Sequence, residues 1–209
     1  MTKPTYDRDH WEQLWSQTLS DPSDHIARRP PNLQLTTAIK HLRPGRALDA
    51  GCGHGSDTLW LATHGWQVTA VDFSKTALAN GRSRAQAAGA DIAERIHWVQ
   101  ADLATWPPQP HHYDLVACLY VHIARSVEEM VQRLAAAVAP HGTLLLVGHQ
   151  PVDPATGAAT PAAGQVQVST DRATAALDPA AWTFVAAEDR PRGAAGIGVD
   201  AVIHARRLP

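Results

Sequence analysis

The chain has 209 residues, a length typical of one domain with a sizeable core. Its 18 Lys and Arg against 20 Asp and Glu give a formal net charge of −2, without the basic excess that nucleic-acid binders use to neutralise phosphates, and no apolar run approaches the ~20 residues of a membrane span. The first residues lack the apolar stretch of a signal peptide and two cysteines are too few for a disulfide framework, so we expect a cytoplasmic protein with neither a nucleic-acid nor a membrane partner.

The start of the chain is predicted to be helical. Trp11, Leu14 and Trp15 fall at i, i+3 and i+4, so they share one face of a first helix. A second apolar pattern over residues 33–42 predicts another helix that ends before the Pro-Gly pair at 44–45. Two interpretations of this segment stay open: a lid that closes over a ligand, or a helix permanently docked on the core.

Strand and helix signals then alternate, which is typical of a parallel sheet covered by helices. The predicted strands are 46–49, 67–71, 95–101, 113–119 and 143–147, followed by a terminal pair at 182–188 and 199–206. The predicted helices are 56–64, 74–88, one from 126 that ends before Pro140, and a short one from 171, after a long loop at 151–169. The pattern predicts a Rossmann-like, doubly wound α/β fold with a mostly parallel seven-stranded sheet and an antiparallel edge strand.

The strongest local signal is a glycine-rich loop between the first strand and the following helix, with the sequence ALDAGCGHG at 47–55. Glycines there permit tight turning and close approach of the backbone to a ligand. Asp72 ends the second strand, where an acid can bind ribose hydroxyls, and Asp102 ends the third, where a carboxylate can accept from an adenine amino group. Phe73 and Leu103 follow these two acids and can sandwich an adenine ring.

The loop departs from the dinucleotide fingerprint, because Ser56 stands where the third glycine would pack helix against strand. Asp49 also fits poorly beside a pyrophosphate and better beside the ammonium group of a methionine moiety. A nicotinamide-dependent oxidoreductase is therefore the less favoured nucleotide-binding alternative.

The stretch from ALDAGCGHG through WVQADL and YDLVACLYVHI to GTLLLVGH, about residues 46–149, resembles the core of class I S-adenosylmethionine-dependent methyltransferases. It is most similar to the branch that includes tellurite-resistance-type and thiopurine-type enzymes. The resemblance implies a single methyltransferase domain over 1–209, with an N-terminal helical lid segment at 1–45, a cofactor-binding core at 46–149, and a C-terminal loop, helix and strand pair at 150–209. It implies S-adenosylmethionine as cofactor, S-adenosylhomocysteine as product, and methyl transfer to an O, N or S atom of a small molecule. The alternative is a non-catalytic S-adenosylmethionine-binding sensor or partner subunit.

The predicted cofactor contacts lie mainly at the strand ends of this core. Trp11 to Trp15 resembles the W-D-x-x-Y first helix of the branch, and residues 26–32 resemble a W-x-G-x-P-N-like element. Neither of the two cysteines in the set is expected to be reactive. The full set is Trp15, Asn32, Asp49, Gly51, Cys52, Gly53, Asp72, Phe73, Asp102, Leu103 and Cys118.

Three residues are predicted to face the methyl acceptor: Tyr120 and His122 after the fourth strand, and His149 after the fifth. Parallel sheets bind ligands beyond the carboxyl ends of their strands, and histidine titrates near neutrality, so either histidine can act as a base. The competing interpretation of His122 is packing or hydrogen bonding at a helix start. The twelve histidines show no metal-binding spacing, so no metal site is predicted.

Overall fold

The computed structural model describes residues 8–21, 24, 26–122, 126–153, 155–160, 162, 164, 166–192 and 198–209. The chain divides into two compact units, the N-terminal unit (residues 5–107) and the C-terminal unit (residues 108–209). The predicted single domain over 1–209 stays a prediction.

The N-terminal unit alternates helices and parallel strands. Its elements are α1 (Arg8–Ser20), α2 (Leu33–Ile39), β1 (Arg46–Ala50), α3 (Ser56–Thr63), β2 (Gln67–Asp72), α4 (Lys75–Ala88), α5 (Ala90–Ala93) and β3 (Ile96–Gln100). Strand β2 pairs in parallel with β1 on one side and with β3 on the other. The glycine loop therefore leaves β1 beside the carboxyl end of β2.

Local capping sets the helix bounds in this unit. The Ser74 side chain accepts a hydrogen bond from Ala77 N at 3.1 Å, and Gly89, with φ +138°, follows the last residue of α4. The prediction for this helix is thus confirmed. Helix α2 ends at Ile39, three residues short of the prediction, and Leu42 N donates to Ile39 O in a turn that follows the helix.

One aromatic side chain occupies a slot formed by two glycines of the N-terminal unit. A Cβ atom on Gly55 would lie 2.6 Å from the Trp98 ring, and one on Gly81 would lie 2.5 Å from it. Gly55 also has φ +81°, a conformation that favours glycine, whereas Gly81 lies inside α4. The Trp98 indole therefore holds α4 and the glycine loop against β3.

The C-terminal unit consists of β4 (Tyr113–Leu119), α6 (Val127–Ala137), β5 (Val138–His149), α7 (Thr170–Ala175), β6 (Trp182–Pro191) and β7 (Val199–Arg207). Strands β4 and β5 are parallel, while β7 pairs antiparallel with both β5 and β6. Leu144, Leu145 and Leu146 are fully buried. This explains the continuous apolar run in β5, since a strand covered on both faces needs no polar alternation.

Strand β5 is longer than predicted, beginning at Val138 rather than at Thr143. The pairing with β4 shifts register between Tyr113, which faces Val138, and Leu115, which faces Thr143. This irregularity accommodates Pro140, which cannot donate to a regular ladder. The expectation that the strand starts after Pro140 and Gly142 was wrong for that reason.

The seven strands form one sheet in the order β3-β2-β1-β4-β5-β7-β6. The predicted Rossmann-like fold, mostly parallel with an antiparallel edge, is confirmed, and β7 is the strand that runs against both its neighbours. Across the described ranges, we find no helix with the length and apolar character needed to traverse a bilayer.

Candidate functional site

Backbone amides of the glycine loop form hydrogen bonds within the N-terminal unit. Gly51, Gly53 and Gly55 all have positive φ, at 82°, 52° and 81°. Four loop amides donate to acceptors of the same unit: Gly51 N and Cys52 N to Val71 O, Gly53 N to Asp72 Oδ2, and Gly55 N to Cys52 O. A dinucleotide-binding loop would offer such amides to phosphate oxygens. These four are already used, which disfavours a phosphate-rich ligand.

Asp72 lies at the end of β2 and holds the loop. Its Oδ2 accepts from Gly53 N at 2.9 Å and its Oδ1 accepts from Ser74 N at 2.9 Å. Burial raises the pKa of this carboxyl group, and the hydrogen bonds partly oppose that rise. A carboxylate has about four acceptor sites, so these bonds leave capacity for ribose hydroxyls.

Asp49 is a buried acid at the end of β1, with 3% of its surface exposed. Thr58 Oγ1 donates to its Oδ2 at 2.5 Å. Burial, followed by repulsion from Asp57, raises the pKa of Asp49 to about 7. A carboxyl group with that pKa ionises readily beside a cation, so the acidic side chains here fit a positively charged ligand without phosphates.

The residues after β2 and β3 form connected turns. Asp102 is exposed, its Oδ1 accepts from Ala104 N at 2.8 Å, and its carbonyl oxygen accepts from the amides of Thr105 and Trp106. This is a turn-forming arrangement. Phe73 and Leu103 are both half-buried. Their contact with an adenine ring stays a prediction.

Helix α1 packs on the glycine loop. The Trp15 indole lies 2.6 Å from the point where a Gly53 Cβ would stand, and its ring centroid is 5.2 Å from that of His54. Glu12, one turn earlier, accepts from Thr76 N at 3.3 Å and from Thr76 Oγ1 at 2.5 Å. Trp15 therefore packs on the glycine loop, with which it was predicted to contact the cofactor.

Three other residues predicted to contact the cofactor are the helix-capping Asn32 and the buried Cys52 and Cys118. The Asn32 side chain caps α2 by accepting from Gln34 N at 2.8 Å, and Asn32 N donates to Asp57 Oδ1. Cys52 is buried in the loop, and burial raises the pKa of its thiol, which fits the expectation that it is unreactive. Cys118 is buried in β4.

In the C-terminal unit, a buried acid gathers two of the three predicted acceptor residues. Asp200 has 4% of its surface exposed and stands directly opposite His149 in the β5–β7 pairing. Tyr120 OH donates to Asp200 Oδ2 at 2.8 Å, and His149 Nδ1 lies 3.0 Å from Asp200 Oδ1. Arg192 Nε donates to the same Oδ1 at 2.8 Å, and its Nη2 contacts His149 Nδ1. We refer to these four residues as the Asp200 cluster.

His122, the third predicted residue, connects to the Asp200 cluster through a glutamine. The amide nitrogen of Gln167 lies 2.9 Å from His122 Nε2, and Gln167 Oε1 accepts from His149 N at 2.9 Å. Gln167 is buried, with 6% of its surface exposed. His122 thus has the hydrogen-bonded surroundings that the packing interpretation expected.

Sequence reasoning missed Asp200, Arg192 and Gln167. One signal was available for Asp200: a single acid near the start of the apolar strand VDAVIHA. A carboxylate inside an apolar strand must be paired when buried, so it marks a polar cluster. Nothing comparable marks Arg192 or Gln167, which lie in stretches with no periodic pattern.

The comparisons with known proteins agree with the fold and the loop. Residues 47–142 match the family model described as "Methyltransferase domain". Trans-aconitate 2-methyltransferase of Paracidovorax citrulli (strain AAC00-1) is 33% identical over 136 residues, covering 63% of this chain and 49% of that protein. Malonyl-acyl-carrier protein O-methyltransferase of Enterobacter lignolyticus (strain SCF1) is 39% identical over 111 residues, covering 53% and 41%. The N-methyltransferase NodS from Bradyrhizobium japonicum WM9, solved with S-adenosylhomocysteine, has a TM-score of 0.71 at 17% identity, over 96% of this chain and 100% of that one.

Residues 47–142 therefore have the sequence pattern of a methyltransferase domain, and the resemblance drawn from the motifs is confirmed for this segment. The chain spans about half the length, or less, of the curated relatives it matches. The structural likeness confirms the fold.

Proposed function

We propose that the chain transfers the methyl group of S-adenosylmethionine to an O, N or S atom of a small molecule. The observation that carries this proposal is the buried Asp49, its pKa raised to about 7, beside a glycine loop in which four amides donate within the same unit. That combination suits a cofactor that is cationic and has no phosphate. When bound, S-adenosylmethionine supplies an electrophilic methyl group on a sulfonium centre.

Each predicted cofactor residue then has a proposed role. Asp72 accepts from the ribose hydroxyls, and Asp102 accepts from the adenine amino group between Phe73 and Leu103. Asp49 offsets the charge of the methionine ammonium. The loop and its cover complete the set: Trp15, Asn32, Gly51, Cys52, Gly53 and Cys118.

We propose that the side chains of Tyr120, His122 and His149 face the small molecule that accepts the methyl group. In-line displacement requires mainly that the acceptor atom be held about 3–3.5 Å from the methyl carbon. The name of trans-aconitate 2-methyltransferase gives that relative a small acceptor, which supports a small molecule here as well. The net charge of −2 argues against a nucleic acid, and two buried free thiols suit the reducing cytoplasm.

The test combines binding with turnover. Calorimetric titration with S-adenosylmethionine is expected to show a single site, and a mixed panel of thiols, phenols and amines is expected to yield S-adenosylhomocysteine. Binding without product across the panel would favour the alternative, a non-catalytic sensor or partner subunit. Binding of a nicotinamide dinucleotide instead would overturn the proposal.

A further inference from the structure

We propose that Thr58 is a positioning residue for the cofactor: it holds the carboxyl group of Asp49 in place and ionised, so that Asp49 binds the ammonium group of the methionine moiety. This inference rests on the proposed function, which assigns the ammonium group to Asp49, and it adds a residue outside the predicted cofactor contacts. Because Thr58 acts through Asp49, it affects the amino-acid end of the cofactor and leaves the adenosine end alone.

The Thr58 side chain is fully buried in the first turn of α3. A buried hydroxyl group needs a hydrogen-bond partner, and Thr58 Oγ1 donates to Asp49 Oδ2 at 2.5 Å. The contact joins α3 to β1 within the N-terminal unit. Since both partners lie in regular elements, the backbones of a strand and a helix fix the position of this hydrogen bond.

The start of α3 has no cap of the ordinary kind. Its N-cap residue is Gly55, which offers no side chain to the amides of the first turn. The Trp98 ring lies 2.6 Å from the point where a Gly55 Cβ would stand, so a capping serine or aspartate does not fit there. Asp49 takes part of this role from the neighbouring strand, because the backbone amide of Thr58 also favours its ionised form.

The other surroundings of Asp49 oppose its ionisation. The titratable groups close to it are Asp57 on α3, Asp72 at the end of β2 and Cys52 of the glycine loop, and none of these becomes positively charged. Burial and then repulsion from Asp57 raise the pKa of Asp49 to about 7, while the hydroxyl and amide of Thr58 lower it. In the part of the chain that the structure describes, the hydrogen bonds that favour the charged form of Asp49 therefore come from Thr58.

The charge on Asp49 decides how well it holds a cation. An ionised carboxyl group attracts an ammonium group, and a protonated one does not. A carboxylate has about four acceptor sites and Thr58 offers two donors, so sites remain for the N–H groups of the ligand. Without the Thr58 hydroxyl, the pKa of Asp49 rises further and a larger share of the free protein is protonated at pH 7. The ligand must then displace that proton, which lowers its affinity.

The experiment compares two ligands by calorimetric titration. S-adenosylhomocysteine carries the ammonium group, whereas methylthioadenosine keeps the adenine, the ribose and a thioether without the amino-acid end. Thr58→Val keeps the shape of the side chain and removes the hydroxyl group. At pH 7 we expect it to weaken S-adenosylhomocysteine binding by about 10–100-fold, the worth of a hydrogen bond to a charged group, and to leave methylthioadenosine binding nearly unchanged.

The pH dependence of this loss is a readout that a packing role would not move. Asp49 ionises without help at high pH, so the loss in Thr58→Val relative to the wild type should be largest at pH 6 and smaller at pH 8. Ionisation of the ligand is common to both proteins and cancels in this ratio. His54, with its pKa lowered to about 4, stays neutral throughout. In an Asp49→Asn background, Thr58→Val should cause no further loss.

Thr58→Ser and Thr63→Val are the matched controls. Serine keeps the hydroxyl group, so Thr58→Ser should bind both ligands almost as the wild type does. A packing role predicts the reverse order, since valine preserves the volume and serine leaves a cavity. Thr63 is an exposed threonine at the end of the same helix, and Thr63→Val should leave binding unchanged.

Three results would overturn this inference and leave the proposed function intact: equal losses for the two ligands, weaker binding in Thr58→Ser than in Thr58→Val, or a loss that is the same at pH 6 and pH 8. Absence of S-adenosylmethionine binding to the wild type would overturn both. Melting temperatures show which variants fold. If Thr58→Val does not fold, Thr58→Ala compared with Thr58→Ser isolates the hydroxyl group, because both lack the methyl group.

Discussion

Asp72 combines two tasks in one carboxylate, since it anchors Gly53 N and is proposed to bind the ribose. Asp72→Ala removes a charged hydrogen-bond partner, so we expect S-adenosylmethionine affinity to fall by about 1.5–3 kcal/mol, measured by calorimetry. Asp91→Asn, an exposed change, serves as the control. Unchanged affinity in Asp72→Ala would contradict the ribose assignment.

Asp49 makes stability depend on pH in a predictable direction. Its folded-state pKa of about 7 exceeds the ordinary 3.8, so the folded protein holds a proton that the unfolded chain releases. This contribution to stability is fully present below about pH 4 and is lost as the pH rises to about 7. Asp49→Asn mimics the protonated acid. We therefore expect the excess of its melting temperature over that of the wild type to be small near pH 4 and to grow up to pH 8, without cofactor.

The comparison uses the difference between the two proteins, because other groups titrate in the same range. Burial, with Arg84 and Arg29 nearby, lowers the pKa of His54 to about 4, so this group weakens the fold as the pH falls below about 6.5. That contribution is common to both proteins and cancels in the difference. A difference in melting temperature that is the same at pH 5 and pH 8 would refute the role of Asp49.

At the scale of elements, Glu12 joins α1 to the start of α4. It accepts two hydrogen bonds from Thr76, and those bonds lower its pKa even though burial opposes this. Glu12→Ala is expected to cost about 1 kcal/mol of unfolding free energy, the usual worth of such bonds. A double-mutant cycle with Thr76→Val should show that the two losses are not additive. Gln17→Ala, exposed on the same helix, is the control, and additive losses would mean that the contact contributes nothing.

The contacts of Glu12 and Trp15 favour a docked α1 over a mobile lid. Limited proteolysis of the wild type should then cut within residues 8–20 slowly, and equally with and without S-adenosylhomocysteine. Trp15→Ala removes the ring that lies on Gly53 and should accelerate that cleavage. Strong protection by the ligand in the wild type would instead support the lid.

The bounds of α4 were predicted well because local chemistry defines them, and the start of β5 was not because pairing defines it. Helix α4 follows from Ser74 at its start and Gly89 at its end, both visible in the sequence. Strand β5 was predicted too short, because Pro140 is a strand-breaking signal unless the partner strand shifts register. That shift depends on β4, which is distant in sequence, so no local pattern reports it.

At the scale of the whole molecule, the positions of Asp49 and Asp72 at strand ends were predictable, and the composition of the Asp200 cluster only in part. Asp49 and Asp72 lie at the carboxyl ends of β1 and β2, so the predicted strands place them. Asp200 reaches Tyr120 across 80 residues of sequence, and only the antiparallel register of β5 and β7 brings it opposite His149. Register between distant strands is set by tertiary packing, which the sequence of either strand does not specify.

The overall charge gives a prediction for the molecule as a whole. With a formal net charge of −2, it offers no general attraction to polyphosphates. In gel-shift measurements at physiological salt, we expect no complex with mixed-sequence DNA or RNA, at protein concentrations that saturate S-adenosylmethionine binding. A salt-dependent complex would indicate a nucleic-acid partner.

The slot that holds the Trp98 indole couples Gly55, Gly81 and Trp98, so that a substitution at one of them changes which residues the other two positions tolerate. Inside a helix, alanine in place of glycine ordinarily stabilises by about 1 kcal/mol, so Gly81 is a poor choice for α4 unless the ring requires it. Gly81→Ala alone places a methyl group 2.5 Å from that ring, and a smaller residue alone at 98 leaves a void. Gly81→Ala together with Trp98→Leu avoids the collision, so each change is tolerated better with the other than singly. Such epistasis means that a library of single substitutions would score Gly81 as immutable, while a library of pairs would not.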